Sequence, residues 1–457
     1  MGSTLNEVKP FKALHYNPAK VAEIGLCLSQ PYDVISPAMQ EDYYKQHDYN
    51  VVRLILGKSL PGDNEENNCY TRAKAFLNEW LKQEILINAE HPAFYVYEQS
   101  FKDQEGQHRC LRGFIGLVRL SDYAEGRILP HEQVLSKPVA DRIKLTLTTQ
   151  TQFEYIWGLY QDESGGVARI ITQAEFKQCI LDYHEKITGV RHRLFKISSE
   201  YDCHTVSSIL AGKKIYIADG HHRYQTMLNI RQELREKFPG AGPDAPWEYI
   251  MMFLVDIGHE DLVILPTHRL LYNLTPERLA GLKPRLEEYF LCEHFGFIAS
   301  NEPEVRQKLL TKLKQAKQPA FGLILADSEE YLFLELKAKD SYLSLFSEKA
   351  SDTWKMLDVN VLNFLILKKI LGITEEELAL QTNILYCKDE AEAVQKVLGQ
   401  EVQAAFLLKA TPLKDVLAIA EAGEKMPRKS TYFYPKPLSG LVFFPMAWPA
   451  DEPHKGN

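Results

Sequence analysis

The stretch from Lys214 to Leu228 constrains this chain more than any other. An apolar, β-prone run, Lys214 to Ala218, meets Asp219 and Gly220. A helical spacing of Tyr224, Met227, Leu228, Leu234 and Phe238 follows. That order predicts strand, tight turn and helix, with Asp219 as a plausible N-cap. Positive groups in the first helical turn oppose the helix dipole by a few tenths to about 1 kcal/mol, yet His221, His222 and Arg223 stand there.

An anion would offset that cost. A helix N-terminus offers backbone N–H groups, Gly220 permits close approach, and Arg223 supplies a fork suited to phosphate. One reading is a phosphate-binding turn. The other is that Asp219 caps the helix and pairs with Arg223 while both histidines face water.

The rest of the chain bounds these readings. At roughly 150 residues per domain, 457 residues suggest about three domains, and 45% apolar residues suffice for ordinary cores. A net charge of −8 and a pI near 6.0 argue against a surface built for nucleic acid or anionic membrane, so a phosphate site must be local. Seven scattered cysteines, never spaced C-x-x-C, indicate neither a disulfide framework nor a structural zinc site. Reduced cytoplasm is the expected location. No apolar run approaches the roughly 20 residues of a membrane span, and the polar start lacks a signal-peptide core.

Periodicity and turn chemistry predict a helix over 37–47 capped by Ser36, a buried strand over 50–57 and an amphipathic helix over 70–83. A hairpin is expected from 93–101 and 108–120. Residues 127–144 crowd His131, Glu132, Lys137, Asp141, Arg142 and Lys144 into a loop-to-helix segment. A carboxylate there could act as general base with cations balancing a phosphate; the plainer reading is a solvated face with an Asp141–Lys144 pair. Strands are expected over 247–257 and 262–270, the latter ending in His268 and Arg269, which read as structural contacts or lesser phosphate ligands. From Thr275 the rhythm suggests a second α/β domain, including helices over 276–289 and 358–371. Residues 425–437 form a rigid basic loop that could close over an anion or simply be solvated. The chain lacks Gly-x-x-x-x-Gly-Lys-Ser/Thr, Gly-x-Gly-x-x-Gly after a strand, His-Glu-x-x-His and Gly-x-Ser-x-Gly.

The run Ala218-Asp219-Gly220-His221-His222-Arg223 resembles the Val-Asp-Gly-His-His-Arg signature of the archaeal ADP-dependent free L-serine kinases, which have the ParB/sulfiredoxin-like fold. Pro130-His131-Glu132-Gln133 resembles their Pro-His-Glu-Gln motif. Met426-Pro427-Arg428-Lys429-Ser430-Thr431 is more loosely similar to their Ser-Pro-Lys-Thr-Thr loop. The full-length pattern, including Pro31-Tyr-Asp-Val34 and Lys429 to Tyr434, resembles the long bacterial family called domain of unknown function 1015.

The resemblance implies a mixed α/β chain. Its parts would be an N-terminal region (1–120), a ParB/sulfiredoxin-like nucleotide-binding core (121–272) and a C-terminal α/β domain (273–457) with the closing loop 425–437. It further implies a phosphotransferase acting between a nucleotide and free L-serine or O-phosphoserine. Glu132 would be the base and Asp219 would position the hydroxyl or Mg²⁺. Gly220, His221, His222 and Arg223 would hold the phosphates of ADP or ATP. His131, Lys137, Arg142, His268, Arg269, Arg428, Lys429, Ser430 and Thr431 would be further substrate or phosphate ligands. Two rivals are a phosphoserine phosphatase-like hydrolase and a ParB-like nucleotide-dependent DNA-binding switch, the latter opposed by the acidic charge. A sulfiredoxin-type reductase needs a Cys where His221 or His222 stands.

Overall fold

The computed structural model describes residues 7–134, 136–174, 179–337, 342–344, 346 and 350–448. The chain is mixed α/β and divides into two compact units. One comprises residues 1–130, 134–262 and 435–457; the other comprises 131–133 and 263–434.

The first unit is built on a nine-stranded mixed sheet. Its order is Ile128–Leu129, Ile215–Asp219, Ile156–Tyr160, Tyr249–Asp256, His108–Arg119, Phe94–Lys102, Arg191–Ile197 and Cys179–His184, with Val8–Lys9 added beside His108–Arg119. Tyr249–Asp256 pairs parallel to Ile156–Tyr160, while Ile215–Asp219 pairs antiparallel to it. The central strands are apolar on both faces, as expected of strands covered on both sides. Phe94, Val96, Ile156, Ile215, Ile217 and Leu254 are all nearly inaccessible within one core, each fully buried side chain contributing roughly 1.5–3 kcal/mol. Tyr224, Met227, Ile230 and Leu234 from helix His221–Lys237 join that core.

The second unit carries an antiparallel six-stranded sheet in the order Phe290–Gly296, Glu330–Leu336, Ala320–Leu325, Ala404–Leu407, His268–Leu271 and Ile384–Cys387. Helices Glu302–Gln315 and Glu390–Leu398 place Val305, Leu309, Leu313, Val394 and Val397 in its core.

Several expectations hold: helix Pro37–Gln46 starts from Ser36, whose side chain accepts the Met39 N–H, and the 94–119 hairpin forms as read. Others fail for identifiable reasons. The buried run at 50–57 is a short helix, Val52–Ile55, because Asn50 turns its side-chain oxygen onto the Val52 N–H; apolar runs this short do not reveal their period. The single strand expected over 262–270 is two, Val263–Leu265 and His268–Leu271, in different sheets, separated at Pro266, which has no N–H to give a ladder. The helix over 276–289 is split at Gly281, which sits at φ 61°. That over 358–371 runs from Asp358–Val361 into a wider π-helical segment, Leu362–Ile370.

Candidate functional site

The strand, turn and helix at 215–237 form as read, with one correction. Asp219 is the last strand residue, and the N-cap is Gly220, with φ 93°. The ladder to Ile156–Tyr160 slips between Ile217 and Asp219, and such an irregularity re-aims the side chain that follows it. An added Cβ on Gly220 would be strained by its φ and would lie 3.1 Å from the Arg223 guanidinium, which would have to give by a few tenths of an ångström. The alternative with both histidines in water also needs correction, since His221 is 4% exposed.

The Asp219 carboxylate is bound by two cations. Oδ2 accepts from Arg223 Nη2 at 2.7 Å, and Oδ1 is bound by Lys436 Nζ. Arg223 Nη1 also donates to the Tyr155 carbonyl at 2.7 Å. Burial disfavours the Arg223 charge, but Glu154, Asp219 and Asp33 outweigh it and hold its pKa above the ordinary value. The guanidinium is therefore a permanent, aimed cation.

Glu154 anchors the surroundings. It accepts from the Tyr32 N–H at 3.1 Å and the Ser439 hydroxyl at 3.0 Å, and it lies 3.9 Å from Arg142 Nη1. Arg142 stacks over the Tyr32 ring at 4.1 Å, donates to the Ile55 carbonyl and pairs with Asp141, which also accepts from the Tyr70 hydroxyl. Asp141 is thus committed to Arg142 and Tyr70. A cavity of about 40 Å³ lies against Arg142, Glu154 and Arg223; it can hold one or a few waters but no nucleotide.

Lys436 reaches Asp219 because its segment is pinned on several sides. Ser29 and Ser439 exchange backbone hydrogen bonds, Gln99 Nε2 donates to the Lys436 carbonyl, and Tyr155 donates to that of Leu438. The Leu438 N–H meets the Tyr97 hydroxyl, which is 2.7 Å from His192 Nδ1; His192 Nε2 lies 3.7 Å from Glu185 Oε2.

Glu132, His131, Arg269 and residues 426–431 belong to the second unit. Glu132 and Met426 form a parallel bridge, and Glu132 Oε1 accepts the Lys429 N–H at 3.4 Å. His131, buried, shares a 3.1 Å hydrogen bond with the Thr431 hydroxyl. Two segments 300 positions apart, each singled out in the sequence, thus meet. Lys429 adopts φ 57°, and the Ser430 hydroxyl donates to the Pro427 carbonyl. Arg269, 1% exposed, donates to the carbonyls of Thr267 and Lys429; burial lowers its pKa to about 10, against the raising effect of Tyr386. His268 Nδ1 accepts the Leu408 N–H, and burial, helped by Arg269, lowers its pKa to about 4. Lys137 is exposed on helix Ser136–Thr149.

Sequence reasoning did not single out Glu154, Tyr32 or Lys436 for these roles. The available signals were a lone acid inside the aromatic run Phe153-Glu154-Tyr155, the Pro31-Tyr32-Asp33 turn, and a lysine locked between Pro435 and Pro437. Among the described residues no group of three or more His, Cys, Asp or Glu is arranged to hold a metal, and no helix is long and apolar enough to cross a membrane.

The model of the family described as a protein of unknown function (DUF1015) matches residues 8–360. The chain belongs to this family. No curated protein matches the DUF1015 chain. Among solved structures it is similar to a variant of a free serine kinase in complex with ADP, at 12% identity over 72% of this chain and 90% of that one, with a TM-score of 0.36. A conserved hypothetical protein from Pyrococcus furiosus shares 14% identity over 69% of this chain and 89% of its own, with a TM-score of 0.32. C-terminally truncated SbnI from Staphylococcus aureus shares 10% over 72% and 86%, also at 0.32. With identities and scores this low, the functional reading rests on the residues themselves.

Proposed function

We propose that this DUF1015 chain is a phosphotransferase that moves a phosphoryl group between a nucleotide and the hydroxyl of free L-serine, in either direction. The observation that carries this reading is the turn at 219–223: a helix N-terminus opened by glycine, with Arg223 and Lys436 both held on Asp219. Backbone N–H groups and two fixed cations suit the donor phosphates, because phosphoryl transfer needs positioning and charge neutralisation more than covalent help.

In this reading the first-turn amides with Arg223 bind and orient the phosphates. Lys436 exchanges Asp219 for a phosphate oxygen when the nucleotide enters. Glu132 takes the proton from the serine hydroxyl, a role that rests on its Pro-His-Glu-Gln context and is supported by its bridge to Met426 and its contact with the Lys429 N–H. Asp219, relieved of Lys436, is the residue that would hold Mg²⁺ arriving with ADP or ATP, since Mg²⁺ commonly takes one or two carboxylates plus substrate phosphates. When bound, that ion supplies further neutralisation of phosphate charge.

Incubating the protein with O-phosphoserine, without nucleotide and with AMP or ADP as acceptor, tests the reading. Serine release that requires nucleotide and is matched by a phosphorylated nucleotide is the expected result. Equal release of inorganic phosphate without nucleotide would mean a hydrolase instead.

A further inference from the structure

The second unit contains a cavity of about 270 Å³ that no part of the phosphotransfer reading uses. Its walls mix charges of both signs: Asp358, Asp415, Lys317, Lys409 and Lys414, with the apolar surfaces of Met356, Leu357, Pro319 and Pro412 between them. Asp358 opens helix Asp358–Val361, just before the π-helical segment, a kind of distortion frequent at functional sites. Its side chain is 13% exposed and faces Lys409 Nζ at 3.6 Å, beyond a well-made charged hydrogen bond.

Lys409 is instead drawn toward the Ala316 and Gln318 carbonyls, at 3.1 and 3.5 Å. Asp358 is paired with Lys409 and accepts a backbone hydrogen bond from Ala320, yet burial, with Asp415 adding, pushes its carboxyl up to about 7. An ammonium group would suit such a carboxyl. Lys317 and Lys414 are exposed members of the same lining and suit a carboxylate. The volume falls at the small end of ligand pockets, below what a nucleotide needs.

We propose that this cavity binds a small zwitterion, an α-amino acid, with its ammonium at Asp358 and its carboxylate at Lys414 and Lys317. The site is separate from the 219–223 turn and does not depend on the phosphotransfer reading. The ammonium favours the ionised form of Asp358, so a fraction of a proton leaves the protein per ligand bound at pH 7.

The test is isothermal titration of the full chain at pH 7 with the standard α-amino acids other than L-serine, one at a time, in two buffers of different ionisation heat. At least one should bind, with a heat that differs between the buffers. Asp358→Asn and the exposed Lys414→Glu should each weaken it about tenfold or more, the scale of a lost charged hydrogen bond, while Arg223→Ala leaves it unchanged. Should Asp358→Asn fail to fold, Lys414→Glu alone decides. No binding across the panel, buffer-independent heat, unchanged affinity in Lys414→Glu, or loss in Arg223→Ala would each overturn the proposal.

Discussion

Lys436 and Asp219, 217 positions apart in the chain, are joined by an ion pair between Nζ and Oδ1. The lysine side chain is 6% exposed and the aspartate 16%, so the pair is largely desolvated, and Arg223 completes it from the other carboxylate oxygen. Two cations thus share one buried carboxylate at a helix N-terminus, with Glu154 and Asp33 also acting on Arg223. Removing one partner of such a group is costly, since the remainder stays buried.

Lys436→Met should therefore weaken ADP binding by roughly 1.5–3 kcal/mol, the range for a hydrogen bond to a charged group. Titration calorimetry on the folded variant checks it. Affinity equal to that of the parent protein would remove Lys436 from the cradle.

Gly220→Ala forces a β-carbon onto a backbone at φ 93° and within 3.1 Å of the Arg223 guanidinium. The strain alone costs on the order of 1–3 kcal/mol. Chemical denaturation should report that loss, and ADP affinity should fall with it because Arg223 must shift. A variant with parental stability and affinity would contradict the turn geometry.

Glu132→Gln keeps the size and the acceptor oxygen that meets the Lys429 N–H but cannot take a proton. Transfer should be abolished while nucleotide binding stays nearly intact. Retained turnover would exclude Glu132 as base.

Acid should destabilise the chain partly through His268. Its folded-state pKa, about 4, lies below the ordinary value of 6.5, so the unfolded chain binds the proton first. The contribution is fully present above pH 6.5 and is lost as pH falls through 4, amounting to roughly 3 kcal/mol at about 1.4 kcal/mol per pKa unit. His268→Asn should flatten stability against pH across that window in urea unfolding; an unchanged slope would mean that His268 is protonated in the folded state.

How much of this was legible in the sequence follows from the range of the interactions involved. Gly220 and the Tyr224, Met227, Leu228 spacing are local signals, and they predicted the strand, turn and helix correctly. Asn50 misled because its side chain, bonded to the Val52 N–H and to the Leu26 and Leu28 carbonyls, decides the backbone of an apolar run that reads equally as strand. Asp219 misled because the N-cap is Gly220 and its own carboxylate pairs with Lys436, a partner visible only once residues 435–439 fold back beside Ser29. Glu154 carried no pattern at all; its role comes from Tyr32 and Ser439, 122 and 285 positions away.

Arg223 is the residue on which the phosphate cradle depends most directly. Titrating ADP into the parent chain, Arg223→Lys and Arg223→Ala, with folding verified for each, measures its part in the cradle. Arg223→Ala should weaken binding by roughly 1.5–3 kcal/mol, about ten- to a hundredfold, with Arg223→Lys in between because it keeps the charge but loses the fork. Equal ADP affinity in all three proteins would contradict a phosphate cradle at the Asp219–Arg223 turn.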